Sequence, residues 1–139
     1  MRKTVNKIRV IYADTDAMGI VYHTNYIKWF EVGRNEFMRE NGFKYGNLEQ
    51  NGYYLPLTKV YCHYLLPARY DDVVLVETTI DHFRRVSLKF DYEIWDEKRE
   101  MCLVEGSTVH AFTREGKIAR PPLEFAEKLK KLMDEKNHA

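Results

Sequence analysis

Ten consecutive residues, Val86 to Trp95 (VSLKFDYEIW), run apolar–polar almost without a break. Val86, Leu88, Phe90, Tyr92 and Ile94 fall on one side, and Ser87, Lys89, Asp91 and Glu93 on the other. Successive side chains of an extended chain point to opposite faces, so this stretch reads as a strand with one buried face and one more polar face. Whatever else the chain does, it must cover the apolar face of a sheet.

One segment is suited to that task. After Thr24 or Asn25, each a plausible N-cap, Tyr26, Phe30, Gly33 and Phe37 recur at helical spacing, with Ile27 and Met38 beside them. They make one apolar stripe, and Gly42 marks its C-terminal end. A glycine in mid-helix costs about 1 kcal/mol against alanine. Gly33 therefore reads either as chance tolerance or, preferably, as a close approach of the helix to the sheet. Residues 42–52 read as a loop. Period two then takes over in YYLPLTKVYCHYLLPA, DDVVLVETTI and MCLVEGSTVHAFT, as it does upstream in residues 5–12. Glu115–Gly116 reads as a turn, and Arg120–Pro121–Pro122 stops extended structure. LEFAEKLKKLMDEK reads as a C-terminal amphipathic helix with Leu123, Ala126, Leu129 and Met133 on one side. The order is strand, long helix, four strands, short helix. That is α+β rather than alternating βαβ, and residues 1–139 are expected to form a single domain.

Composition narrows the function. With 22 basic and 21 acidic residues the formal charge is +1, which argues against a general nucleic-acid or anionic-membrane binder. The 45% hydrophobic share argues against disorder. Charges interrupt the apolar residues of MRKTVNKIRVIYAD, so no signal-peptide core is expected, and no apolar run reaches the roughly 18 residues of a membrane span. Cys62 and Cys102 have no zinc-motif spacing and read as buried, reduced thiols of a cytoplasmic protein.

Chemistry, if present, belongs to Tyr12–Asn25, YADTDAMGIVYHTN. Asp14 and Asp16 precede the long helix. Too few oxygens surround them for a hard-cation loop. They are either loop acids bonded to local amides or a carboxylate placed to attack a carbonyl or to activate water. His23 stands just before the helix, where it is either structural or part of a site. A helix N-terminus carries unpaired N–H groups and a partial positive charge, which can stabilise an oxyanion. No G-x-S-x-G element occurs.

The stretch Tyr12–Glu40 closely resembles the hot-dog-fold acyl-CoA thioesterases of the 4-hydroxybenzoyl-CoA type, in particular the short bacterial ones associated with Tol–Pal operons. The resemblance is carried by Asp14, Asp16, Gly19, Ile20, Val21, Tyr22, His23, Asn25, Tyr26, Glu31 and Arg34. It implies an antiparallel sheet wrapped around one long central helix, with a short C-terminal helix. It implies that Asp16 is the catalytic carboxylate, that a backbone amide at or beside His23 polarises the thioester carbonyl, and that the His23 side chain touches the reacting group. Tyr22, Thr24, Asn25 and Tyr26 would contact substrate, and Arg84 and Arg85 the phosphates of coenzyme A. Tyr26, Trp29, Phe30, Tyr53 and Tyr54 are either plain core or the lining of an acyl slot. Glu31 and Arg34 would be structural or interfacial, and His63, His82, His110 and His138 structural or on the surface. No metal or cofactor is implied, coenzyme A entering as part of the substrate. The partners implied are an acyl-CoA or acyl-carrier-protein thioester and further copies of the chain, as a homodimer or homotetramer with the site between subunits. Two other readings remain: a hydratase or dehydratase of acyl thioesters on the same fold, and a non-enzymatic acyl-carrier-interacting module.

Overall fold

The computed structural model describes the backbone of residues 3–138 and the side chains of residues 3–134. The His138 side chain lies outside the described residues. Strand β1 (Thr4–Arg9) leads through a 3-10 turn (Tyr12–Asp14) into helix α1 (Thr24–Glu40). There follow α2 (Tyr45–Gln50), β2 (Tyr53–Tyr54), β3 (Leu57–Tyr64), β4 (Val73–Arg84), β5 (Ser87–Asp96), β6 (Cys102–Ala111), β7 (Thr113–Arg114), β8 (Lys117–Ile118) and α3 (Leu123–His138). The main sheet is antiparallel in the order β1-β4-β5-β6-β3, and β2, β7 and β8 form a small second sheet.

The alternation of residues 86–95 is satisfied as its pattern requires. Leu88, Phe90, Tyr92 and Ile94 are buried, and the stripe of α1 lies over them. The Phe30 ring stacks on Tyr92 at 4.3 Å, and Phe37 meets Phe90 edge-on at 6.0 Å. Both glycines at this contact are there because no side chain fits. A Cβ on Gly33 would lie 2.4 Å from Thr78 Oγ1, and one on Gly106 would lie 2.4 Å from the Phe30 ring. The close approach expected at Gly33 is thus present.

The ends of α1 differ from each other. At its C-terminus Gly42 takes φ +83°, its N–H bonds the Arg39 carbonyl, and Phe43 N–H bonds Met38 O. That is a Schellman close on the expected glycine. At the N-terminus neither Thr24 nor Asn25 is the cap. The flanking residue is His23, with helical dihedrals and no capping side chain.

Three further expectations change. The 42–52 loop contains α2, whose Leu48 is buried. The strand expected from Tyr53 is split at Pro56, which has no N–H to continue a ladder, so Tyr53 and Tyr54 pair with β7 instead. In α3 the buried side is Phe125 and Leu129, whereas Leu123 is exposed. Phe125 packs against Phe43 and Phe112 at 4.8 and 5.4 Å.

Candidate active site

The two aspartates that look alike in sequence sit in different surroundings. Asp14 is buried, accepts the Ile11 N–H on Oδ2 at 3.2 Å and pairs with Lys28 at 3.4 Å. Its carbonyl takes the Tyr22 N–H and the Asn25 side-chain amide, both at 2.8 Å. Asp14 therefore anchors the approach to α1. Asp16 is half-buried, at the first position of a β-turn closed by Gly19 N–H to Asp16 O, with Gly19 at φ +78°. Aspartate first and glycine fourth are the residues such a turn favours. The bridge Thr15–Val21 holds the base of the turn, and Ile20–Arg69 ties it to the segment before β4. One carboxylate oxygen, Oδ1, accepts the Met18 N–H at 2.8 Å. The other has no partner among the described residues, so the group is oriented and still has an oxygen to offer.

Within the same loop lies the head of α1. Tyr22, His23 and Thr24 are exposed. Asn25 N–H is spent on Tyr22 O, but the N–H groups of His23 and Thr24 have no acceptor among the described residues. They are the orphan donors of a helix start, aligned with its positive end. The Tyr64 hydroxyl bonds the His23 carbonyl at 3.0 Å, and the His23 ring lies between those of Tyr22 and Tyr64. Asn25 is half-buried and its amide is committed to Asp14. Tyr26 is core: its hydroxyl accepts the Ala68 N–H at 3.0 Å, and burial pushes its pKa up. Trp29 and Phe30 are also core, whereas Tyr53 and Tyr54 border a cavity.

That cavity, of about 950 Å³, lies away from Asp16. It opens among the middle of α1, α2 and the segment Tyr53–Leu57, with His110 and Phe112 on its wall. Asp16 and His23 belong to the Tyr64 end of β3 and the cavity to the Leu57 end, ends that lie seven residues or roughly 23 Å apart along the strand. Arg84 and Arg85 are likewise remote. They sit at the far end of β4, twelve residues from the end tied to the Asp16 loop, roughly 40 Å along the strand. Both are exposed and neither makes an ion pair among the described residues. One chain thus brings together Asp16, His23, Tyr22 and Thr24, and separates them from Arg84, Arg85 and the cavity.

Metal-ligating types converge once among the described residues, on the polar face of the sheet, where Glu93, Cys102 and Glu105 donor atoms lie within 4.8 Å of one another. Burial, then the two glutamates, raise the Cys102 pKa and hold its thiol protonated, a poor ligand form. Both cysteines are free thiols, half-buried rather than fully so. His110 is buried rather than on the surface, and it borders the cavity with Arg34, the second residue for which no site role was expected. Glu31, one turn before Arg34, is exposed and does not pair with it among the described residues.

Residues 10–129 match the family described as the thioesterase-like superfamily. The chain belongs to this family. It is 37% identical over 87 residues to the acyl-CoA thioester hydrolase YbgC of Escherichia coli O6:H1, covering 63% of this chain and 65% of that one. Its fold superposes on the DHNA-CoA thioesterase of Staphylococcus aureus with a TM-score of 0.91 and 31% identity, over 99% of this chain and 95% of that one. A 4-hydroxybenzoyl-CoA thioesterase shares the fold at a TM-score of 0.83 and 19% identity, over 93% and 99% of the two chains. The sheet and central helix are those of the hot-dog thioesterases.

Proposed function

We propose that this chain is an acyl-CoA thioesterase that hydrolyses its substrate with Asp16. The observation that carries the reading is the pairing, in one loop, of an oriented carboxylate having an unspent oxygen with the unpaired N–H groups of His23 and Thr24. The thioester carbonyl oxygen accepts from these amides, which stabilise the charge it acquires in the transition state. The Asp16 oxygen either takes a proton from water as it attacks the carbonyl carbon or attacks the carbon itself, with water cleaving the resulting anhydride. The carbon–sulfur bond breaks, the sulfur leaves with a proton, and a carboxylic acid and coenzyme A result. Water is the only co-reactant, so the reaction as proposed uses no metal or cofactor. The exposed His23 ring is placed to contact the acyl thioester, with Tyr22 and Thr24 beside it.

The working unit we propose is a homodimer joined through β3. Among its eight residues β3 buries none fully, and Leu57, Val60, Tyr61 and Tyr64 are exposed, as are Leu65 and Leu66 just beyond. A long apolar edge strand is an invitation to pair, and edge-to-edge joining removes it. Antiparallel pairing of two β3 strands sets the Tyr64 end of one against the Leu57 end of the other. The Asp16 loop of one protomer then faces the cavity, Arg84 and Arg85 of the partner subunit. The separation seen within one chain becomes proximity across the dimer, and the two basic residues can meet the anionic coenzyme A. Residence in the cytoplasm accords with this substrate and with free thiols; no described helix is long and apolar enough to cross a membrane.

The test is thiol release from short, long and aromatic acyl-CoAs and from an acyl-carrier-protein thioester. Hydrolysis of at least one is expected. Hydration or dehydration of an enoyl or hydroxyacyl thioester without thiol release would replace this reading, and binding without turnover would favour the non-enzymatic module.

A further inference from the structure

The hydroxyl of Tyr64 reaches the head of α1 from another part of the fold, and the chemistry above does not use it. It donates to the His23 carbonyl at 3.0 Å, across 41 residues of sequence. Its place is held from three sides. Tyr64 ends β3 opposite Val104 of β6, and the two amides that follow, Leu65 N–H and Leu66 N–H, both bond Leu103 O, at 2.9 and 3.1 Å. One side of the ring lies against the buried Tyr26 at 5.5 Å, and Tyr26 is itself tied to Ala68. The His23 ring meets it edge-on at 6.3 Å.

What this hydroxyl holds is one end of a peptide plane. The His23 carbonyl and the Thr24 N–H belong to the same amide, which is planar and trans, so they point in opposite directions and can only turn together. The Thr24 N–H is one of the two unpaired donors of the helix start. No capping side chain steadies this end of α1, where His23 has φ −56° and ψ −32°. A hydrogen bond accepted by a carbonyl also draws charge towards its oxygen and makes the N–H of the same amide a stronger donor. Tyr64 therefore both aims the Thr24 N–H and strengthens it, from the far side of the amide.

We infer that Tyr64 is a positioning residue of the oxyanion hole, acting through the His23 carbonyl on the Thr24 N–H that grips the thioester oxygen. The inference rests on the thioesterase reading and adds to it a group outside the Tyr12–Asn25 loop. A preorganised donor matters most where charge develops, so losing the hydroxyl weakens the transition state more than the bound substrate.

The experiment uses Tyr64→Phe, which keeps the ring between His23 and Tyr26 and removes only the donor. On the best acyl-CoA of the wild type, kcat should fall by about ten-fold or more and KM should change by no more than about two-fold. Sedimentation should match wild type, and the melting temperature should move by no more than about a few degrees. Infrared difference spectroscopy reads the hole directly, with the isotope-labelled carbonyl of that acyl-CoA bound to Asp16→Asn. The carbonyl stretch should lie below that of the free thioester, and should move back towards it in Asp16→Asn/Tyr64→Phe. A tyrosine that only packs would leave the bond of the substrate where it was. Fluorotyrosine in place of Tyr64, a stronger donor of nearly the same size, should move the stretch the other way, and it decides the matter should Tyr64→Phe fail to fold. An unchanged kcat in folded Tyr64→Phe, a loss carried by KM alone, or a stretch indifferent to residue 64 would overturn the inference and leave the Asp16 reading standing. Absence of thiol release by the wild type from every thioester would sink the thioesterase reading itself.

Discussion

Two glycines and one histidine show how single positions carry the fold. Adding a methyl group at Gly33 presses on the Thr78 and Val76 side chains, which can give a little. At Gly106 it would also meet the Tyr61 carbonyl at 2.8 Å, and a backbone strand cannot step aside. Gly106→Ala should therefore lower stability by about 2–3 kcal/mol, and Gly33→Ala by less because the helix gains propensity, both measured by denaturant unfolding. His110 adds a pH dependence. Above pH 6.5 its ring is neutral in both folded and unfolded chains. As pH falls, the unfolded chain takes the proton near 6.5 and the folded one resists until about 4, so stability is lost across that window. His110→Gln should flatten the fall by about 2–3 kcal/mol between pH 7 and 4 in the same assay. At this scale the sequence was half legible. Asp16 and the glycine turn after it were readable, because turn chemistry is local. The division of labour between Asp14 and Asp16 was not, because it depends on Lys28 and Ile11 closing over one of them. The burial of His110 was not legible for a related reason: a chain linking residues 55, 92, 108 and 110 leaves no local pattern.

Elements followed their periodicity wherever one face was buried. The strand at residues 86–95 and helix α1 were legible, since each carries its own repeat. The short α2 was not, since six residues hold less than two turns, and the stripe of α3 was misplaced because the aromatic pair Phe43 and Phe112, far away in sequence, chooses Phe125. The element whose exposure needs explaining is β3. If it is the dimer edge, a charge at Tyr61 should separate the protomers. Tyr61→Lys is expected to sediment as a monomer, to keep its circular dichroism, and to lose hydrolysis because the site is divided between chains. A dimer that persists would point to another edge.

For the whole molecule, the separation of Asp16 from Arg84 and Arg85 makes a prediction that no single-chain site would share. Asp16→Asn protomers and Arg84→Ala/Arg85→Ala protomers should each be poor enzymes. Mixed by refolding at equal amounts, half the dimers are hybrids with one intact site, so about a quarter of the wild-type rate should return. No recovery would place the phosphates elsewhere. The central claim is narrower and more easily reached. Asp16→Asn keeps the turn, since the amide oxygen can still accept the Met18 N–H, but it removes the charge that attacks or deprotonates. The measurement is steady-state thiol release by this variant on the best acyl-CoA of the wild type, with the melting temperature recorded beside it. The account predicts an unchanged melting temperature and a kcat reduced by about 100-fold or more. A variant that folds and turns over at the wild-type rate would contradict it.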